Sequence, residues 1–137
     1  MRISQKLEYA CRALAQLAKN FDGKTITRLE EIAQREAVSA NFLVQILNDL
    51  RKSGIITSKR GKMGGYILSK PPRTITLYEI VEAIEPALTD KSISTDGESG
   101  DKVCNVWKNI SGSFASELRV VTLDQLVADA AEDMFYI

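Results

Sequence analysis

Histidine is absent from this 137-residue sequence, and cysteine occurs only at Cys11 and Cys104. Without histidine, the usual general base at neutral pH and most zinc arrangements are excluded. Two thiols are too few for a disulfide framework. No nucleophile–base pair and no cluster of metal ligands is evident, so an enzyme is not expected. No apolar run approaches the length of a membrane span. The opening M-R-I-S-Q-K-L lacks the apolar stretch of a signal peptide, so the expected location is cytoplasmic, without a membrane partner. Net charge is also missing, because 18 basic residues balance 18 acidic ones.

That balance hides a division. Residues 1–73 hold 14 Lys and Arg against 6 Asp and Glu, whereas residues 74–137 hold 4 against 12. One half should attract a polyanion and the other should repel it. With 45% apolar residues, the chain can form one domain with a core, or a small domain plus an extension.

The chain is organised around residues 38–68. V-S-A-N-F-L-V-Q-I-L-N-D-L-R-K-S-G reads as an amphipathic helix at about 40–53, with Ser39 as N-cap and Gly54 closing it. Phe42, Leu43, Ile46, Leu47 and Leu50 form its inward stripe. Ala40, Asn41, Val44, Gln45 and Asn48 face outward. Asn and Gln can pair with adenine edges, and Val44 can pack on a thymine methyl. I-I-T-S (55–58) and Y-I-L-S (66–69) read as strands joined by the tip K-R-G-K-M-G-G. Its glycines allow close backbone approach, and Lys59, Arg60 and Lys62 supply charge for a phosphate backbone or a narrow minor groove. A nucleotide-binding phosphate loop is the rival reading. It fails on order, because a strand rather than a helix follows the glycines. A helix running directly into a basic hairpin is the DNA-reading half of a winged helix-turn-helix.

The flanking segments fit that frame. A first helix over 3–19 carries Leu7, Ala10, Cys11, Leu14, Leu17 and Ala18 on one stripe, with Ser4 as N-cap. Arg2, Lys6 and Arg12 lie off the stripe, as phosphate contacts or as a solvated face. A second helix at about 28–36 buries Leu29, Ile32 and Ala33, with Thr27 and Glu30 at capping-box spacing. Ile26 is placed to add an edge to the hairpin. Val38 anchors the turn. Thr76 caps a further helix carrying Ile80, Val81 and Ile84. Residues 87–102 are polar and read as a loop. A long helix over about 102–119 then carries Val103, Trp107, Ile110, Phe114 and Leu118 at threes and fours. Thr122 caps a short helix with Leu123, Leu126 and Val127 on one side, and the chain ends A-E-D-M-F-Y-I. Large apolar residues on a helix beyond a completed domain suggest pairing with a second copy, which would present two recognition helices to a palindromic site.

The fold expected is mainly α with a small β-wing. Residues 1–86 form the winged helix-turn-helix, 87–102 a flexible loop with a candidate sensing role, and 103–137 a dimerisation helix and C-terminal extension.

The ordered set of motifs resembles the Rrf-two family of bacterial regulators over nearly the whole chain. It comprises Tyr9-Ala10, Arg12-Ala13-Leu14, Ile32-Ala33, Ser39, Phe42-Leu43, Gln45, Leu47, Leu50-Arg51-Lys52 and Gly54. It continues through Arg60-Gly61, Gly64-Gly65-Tyr66, Leu68, Pro72, Ile75-Thr76-Leu77, Ile80, Ala83-Ile84-Glu85, Trp107, Thr122-Leu123 and Leu126. The resemblance implies a homodimeric transcription regulator, often a repressor, bound to double-stranded DNA. Ser39, Asn41 and Gln45 would lie at the DNA, with Arg60, Lys62 and Gly64 in the wing. Where some members carry an acidic residue just before the glutamine, this chain has Val44, so a relative's operator is not carried over.

Members that bind an iron–sulfur cluster place three cysteines in the loop and at the start of the dimer helix, and this chain has only Cys104 there. No cofactor is expected. Three readings of Cys104 stand: an inert cysteine, an exposed thiol that oxidises or bridges subunits, and a ligand in a shared cluster with Asp96 or Asp101. An unidentified small molecule or protein effector acting on 87–104 is a further expectation. A winged-helix module that binds proteins rather than DNA is the alternative function.

Overall fold

The structure, a computed structural model, describes residues 2–59, 64–90 and 92–127. The expectations for Arg60, Lys62 and the A-E-D-M-F-Y-I terminus lie outside the described residues. Among those described, five α-helices and one two-stranded antiparallel sheet form a winged helix-turn-helix followed by a long helix. No described helix is long and apolar enough to cross a membrane.

Helix α1 (Gln5–Lys19) starts where the sequence places it, with Ser4 Oγ accepting from the Leu7 N–H at 3.1 Å. Leu7, Ala10, Leu14 and Leu17 are buried, and Cys11 is half-buried beside them. Helix α2 (Leu29–Glu36) departs from expectation at its start. Thr27 does not cap it; the N-cap is Arg28, whose side chain makes no capping bond there. Thr27 is buried and spends both backbone groups on Tyr66, with N–H···O distances of 2.8 Å in each direction. The wing therefore gains its third edge at Thr27, one residue beyond Ile26.

Ala37 closes α2 in the left-handed region, at φ 55°. Val38 is buried and Ser39 then caps α3 (Ala40–Lys52), accepting from the Phe42 N–H at 3.1 Å. At its far end Gly54 sits at φ 84°, with its N–H on Arg51 O and the Ile55 N–H on Leu50 O, both at 3.1 Å. This paired closure is a Schellman motif, which needs the left-handed residue. The wing strands lie one residue nearer the tip than expected, at β1 (Ile56–Lys59) and β2 (Gly65–Leu68), with Ile55 O still accepting from the Ser69 N–H at 2.9 Å. Ile56 pairs with Leu68 and Lys59 with Gly65.

Helix α4 (Leu77–Ile84) is capped by Thr76 as expected, through the Glu79 N–H at 3.2 Å. Ile80, Val81 and Ile84 are buried. After a 3-10 turn at Pro86–Thr89, the chain runs exposed to α5 (Gly100–Val120). Position 100 has room only for glycine, since a Cβ there would lie 2.2 Å from Thr95 O. At the far end of α5, backbone bonds from Leu77 N to Val121 O (2.9 Å) and from Leu123 N to Ile75 O (2.8 Å) stitch the chain back to the start of α4. The Arg119 guanidinium stacks over Tyr78, 4.1 Å from the ring centroid. The short terminal helix is a 3-10 turn (Leu123–Leu126) that Thr122 does not cap with its side chain. Leu123 is buried but Leu126 is exposed, so the expected shared face does not form.

One core holds these parts together. Leu14, Ile32, Leu43, Ile46, Leu47, Leu50, Ile75, Ile80 and Leu123 are all fully buried. Leu43, Ile46, Leu47 and Leu50 fix which side of α3 faces inward, and hence which side is left for contact.

Candidate nucleic-acid interface

Opposite that buried side, Asn41, Val44 and Gln45 are exposed on the first two turns of α3. Val44 is an unusual surface residue, a β-branched hydrophobe 43% exposed between two amides. The amides can donate to and accept from base edges, and the valine can meet a thymine methyl. Asn48 is half-buried and already engaged, its Oδ1 accepting from Arg51 Nη2 at 2.6 Å. That bond holds a guanidinium on the same flank. Ser39 Oγ accepts the capping bond, which leaves its hydroxyl proton for donation outward.

The only carboxylate on α3 is Asp49, and Lys6 Nζ neutralises it from α1 at 2.6 Å. An unpaired acid there would repel a phosphate backbone. Arg51 and Lys52 in the last turn add exposed positive charge where it also opposes the helix dipole. Lys59 is exposed at the end of β1, and Gly64 is half-buried at the start of the return.

Of the basic residues on α1, Arg12 is taken up locally. It pairs with Glu8 at 2.7 Å and lies 5.6 Å from the Tyr9 ring centroid. Tyr9 in turn meets Phe42 edge-on, at 5.6 Å between centroids, and accepts from Gln5 Nε2 at 2.9 Å. Sequence reasoning missed these contacts between α1 and α3. Helical spacing places residues on a flank, but not the partner that faces them.

The long helix divides its expected stripe. Leu118 is buried in the chain's own core and Phe114 packs against it. Val103, Val106, Trp107 and Ile110 stay about half exposed on the overhanging part of α5. Cys104 lies on the other side, only 1% exposed, with Sγ 3.9 Å from Ile93 O in the returning loop. Of the three readings of Cys104, the exposed thiol does not match this placement, because Sγ is buried between α5 and the backbone at Ile93. Cys11, on α1, is held as a thiol. Burial pushes its pKa up to about 11, and the nearby Glu8 carboxylate adds to the effect.

Compared with known proteins, the chain matches a family model described as Rrf2, iron-dependent transcriptional regulator, over residues 3–129. It is 30% identical to the HTH-type transcriptional regulator IscR of Escherichia coli, over 93% of this chain and 80% of that protein. Among solved structures it resembles CymR, the global cysteine regulator of B. subtilis, at 30% identity and a TM-score of 0.79, over 94% of this chain and 99% of that one. It also resembles T. potens IscR, at 31% identity and a TM-score of 0.72, covering 90% and 84%.

The family description raises the question of iron, and the donor set does not fit it. Histidine is lacking throughout, and the two cysteines are on different helices, one a high-pKa thiol and the other enclosed. An iron–sulfur cluster takes thiolate ligands, usually four. Among the described residues no group of three or more His, Cys, Asp or Glu could hold a metal ion.

Proposed function

Because the chain belongs to the Rrf2 family of transcriptional regulators, we propose that it is a homodimeric repressor. In this reading it binds a palindromic operator through α3 and the wing. The observation that carries this is the outer face of α3: Asn41, Val44 and Gln45 are exposed, and the helix's one carboxylate is neutralised by Lys6. Asn41, Val44 and Gln45 read base edges in the major groove. Ser39, Arg51 and the wing residues Lys59, Arg60, Lys62 and Gly64 meet phosphates and the adjacent minor groove. Asn48 orients Arg51.

Dimerisation uses the overhanging stripe of α5. Val103, Val106, Trp107 and Ile110 are too large and too contiguous for a surface left to water. Pairing α5 with its copy sets the spacing of the two recognition helices. Phe114 and Leu118 anchor α5 to its own domain, so the pairing is transmitted to α3 through α4. Repression follows from occupancy, since a dimer bound across two half-sites excludes another protein. The loop that encloses Cys104 is the segment where an effector would act.

The test is a titration against a duplex that the protein itself selects from a random pool. Gln45→Ala should lower specific affinity at least about tenfold, within the discrimination that one bidentate base contact supplies. Arg60→Ala should weaken specific and non-specific duplexes alike. Parent-like binding by both variants would contradict the proposed interface.

A further inference from the structure

Two contacts join α1 to α3 along a single flank, seven residues apart on α3. Near its start, Phe42 meets Tyr9 in a T-shaped ring pair. Near its end, Asp49 receives Lys6 Nζ at 2.6 Å. On α1 the two partners are three residues apart, so they too share a flank. Tyr9 is held in turn by Gln5, at 2.9 Å to its hydroxyl, and by Arg12 over its ring. All four brace residues are half-buried, at the border between the core and the outer face of α3.

We infer that Lys6 and Tyr9 form a brace that sets the rotation of the recognition helix about its own axis. Lys6 is then a positioning residue for sequence reading, rather than a phosphate contact. The inference rests on the DNA-binding reading proposed above. The buried stripe of Leu43, Ile46, Leu47 and Leu50 keeps α3 on the domain. Small aliphatic side chains on a curved surface tolerate a rolling helix better than an edge-to-face ring pair, which is directional, combined with an ion pair seven residues further along α3, which adds a second point of attachment. A roll of a few degrees shifts the tips of Asn41 and Gln45 by roughly half an ångström, enough to spoil the geometry of a base-edge hydrogen bond while leaving phosphate contacts, which are more adaptable, in place. The brace therefore acts on the ratio of specific to non-specific affinity and leaves the electrostatic attraction almost unchanged.

The two roles for Lys6 give opposite results. A phosphate-contacting lysine, once removed, weakens all duplexes and lowers the slope of log affinity against log salt by about one. A bracing lysine lowers the specificity ratio as well, and any uniform weakening from the unpaired Asp49 disappears in the double variant. Asp49 sharpens the contrast. Removing its negative charge should tighten binding to any duplex if only the field matters, but should cost specificity if the brace matters.

The experiment measures parent, Lys6→Met, Asp49→Asn and the double variant against a self-selected duplex and an unselected duplex of equal length. Titrations run at several salt concentrations, scaled to active protein, with melting curves for each variant. The brace predicts that each single variant loses about two- to fivefold in specificity ratio, the range expected when a partly exposed ion pair is lost. It also predicts an unchanged salt slope on unselected DNA and a double variant no worse than either single one. Tyr9→Leu should show the same ratio loss through the other contact point. A lower salt slope for Lys6→Met, tighter binding by Asp49→Asn at an intact ratio, or unchanged ratios throughout would overturn the brace. A parent that binds neither duplex would instead remove the DNA-binding reading, and the brace with it.

Discussion

Thr27 and Tyr66 exchange both of their backbone hydrogen bonds at 2.8 Å, which ties the wing to the residue just before the α2 N-cap. The contact is close enough to exclude a side chain at its neighbour, since a Cβ on Gly65 would lie 2.6 Å from Thr27 O. Gly65→Ala should therefore break this pairing and destabilise the fold by about 1–3 kcal/mol, the cost of leaving buried backbone groups unsatisfied. A melting curve superimposable on the parent's would contradict the close approach.

The stripe along α5 does two jobs at its two ends. Leu118→Ala should cost about 2–5 kcal/mol of stability, because it opens a cavity in the chain's own core. Trp107→Ala removes a half-exposed ring, and should instead shift sedimentation from dimer toward monomer. Loss of stability without dissociation in Trp107→Ala would place that ring in the fold rather than at the interface.

Cys11 should make stability sensitive to alkaline pH. Its folded pKa, raised from 9.0 to about 11, means that both states hold the proton below pH 9. Between pH 9 and 11 the unfolded chain ionises first, so this contribution to stability is lost as pH rises. Denaturant melts at pH 8 and pH 10 should show a larger fall for the parent than for Cys11→Ala. Equal falls would contradict the burial of this thiol.

Protein purified without oxygen should be colourless, with no stoichiometric iron or sulfide, and Cys104→Ala should have the same spectrum. Visible absorption lost in that variant would mean that Cys104 ligates a cluster, despite a donor set that does not suit one.

The sequence carried the local chemistry of this fold well. Ser4, Ser39 and Thr76 are legible as caps because each needs only its own hydroxyl and an N–H three residues on. Gly54 is legible because few residues fit a positive φ. Thr27 misleads for the opposite reason. It has the right residue type and the right spacing to Glu30, but Tyr66 lies 39 positions away and claims its backbone first. The wing strands start and end one residue from the expected bounds, a margin that turn residues at either end of a short strand do not fix. The outward residues of α3 follow from helical period alone, whereas the engagement of Asn48 by Arg51 and the Lys6–Asp49 and Tyr9–Phe42 pairs depend on side-chain directions that period does not give. In α5, one periodic stripe reads as a single surface, yet Leu118 is in the core and Ile110 is half exposed, because the helix overhangs the domain that holds its far end.

The most direct test of the central claim is a footprint of the protein on its self-selected duplex, with the mass of the complex measured in parallel. The account predicts two chains per duplex and two protected, inverted half-sites whose centres lie about one helical turn, or a multiple of it, apart. Gln45→Ala should lose the protection while remaining a dimer. One chain per duplex, protection without inverted symmetry, or a footprint unchanged by Gln45→Ala would contradict it.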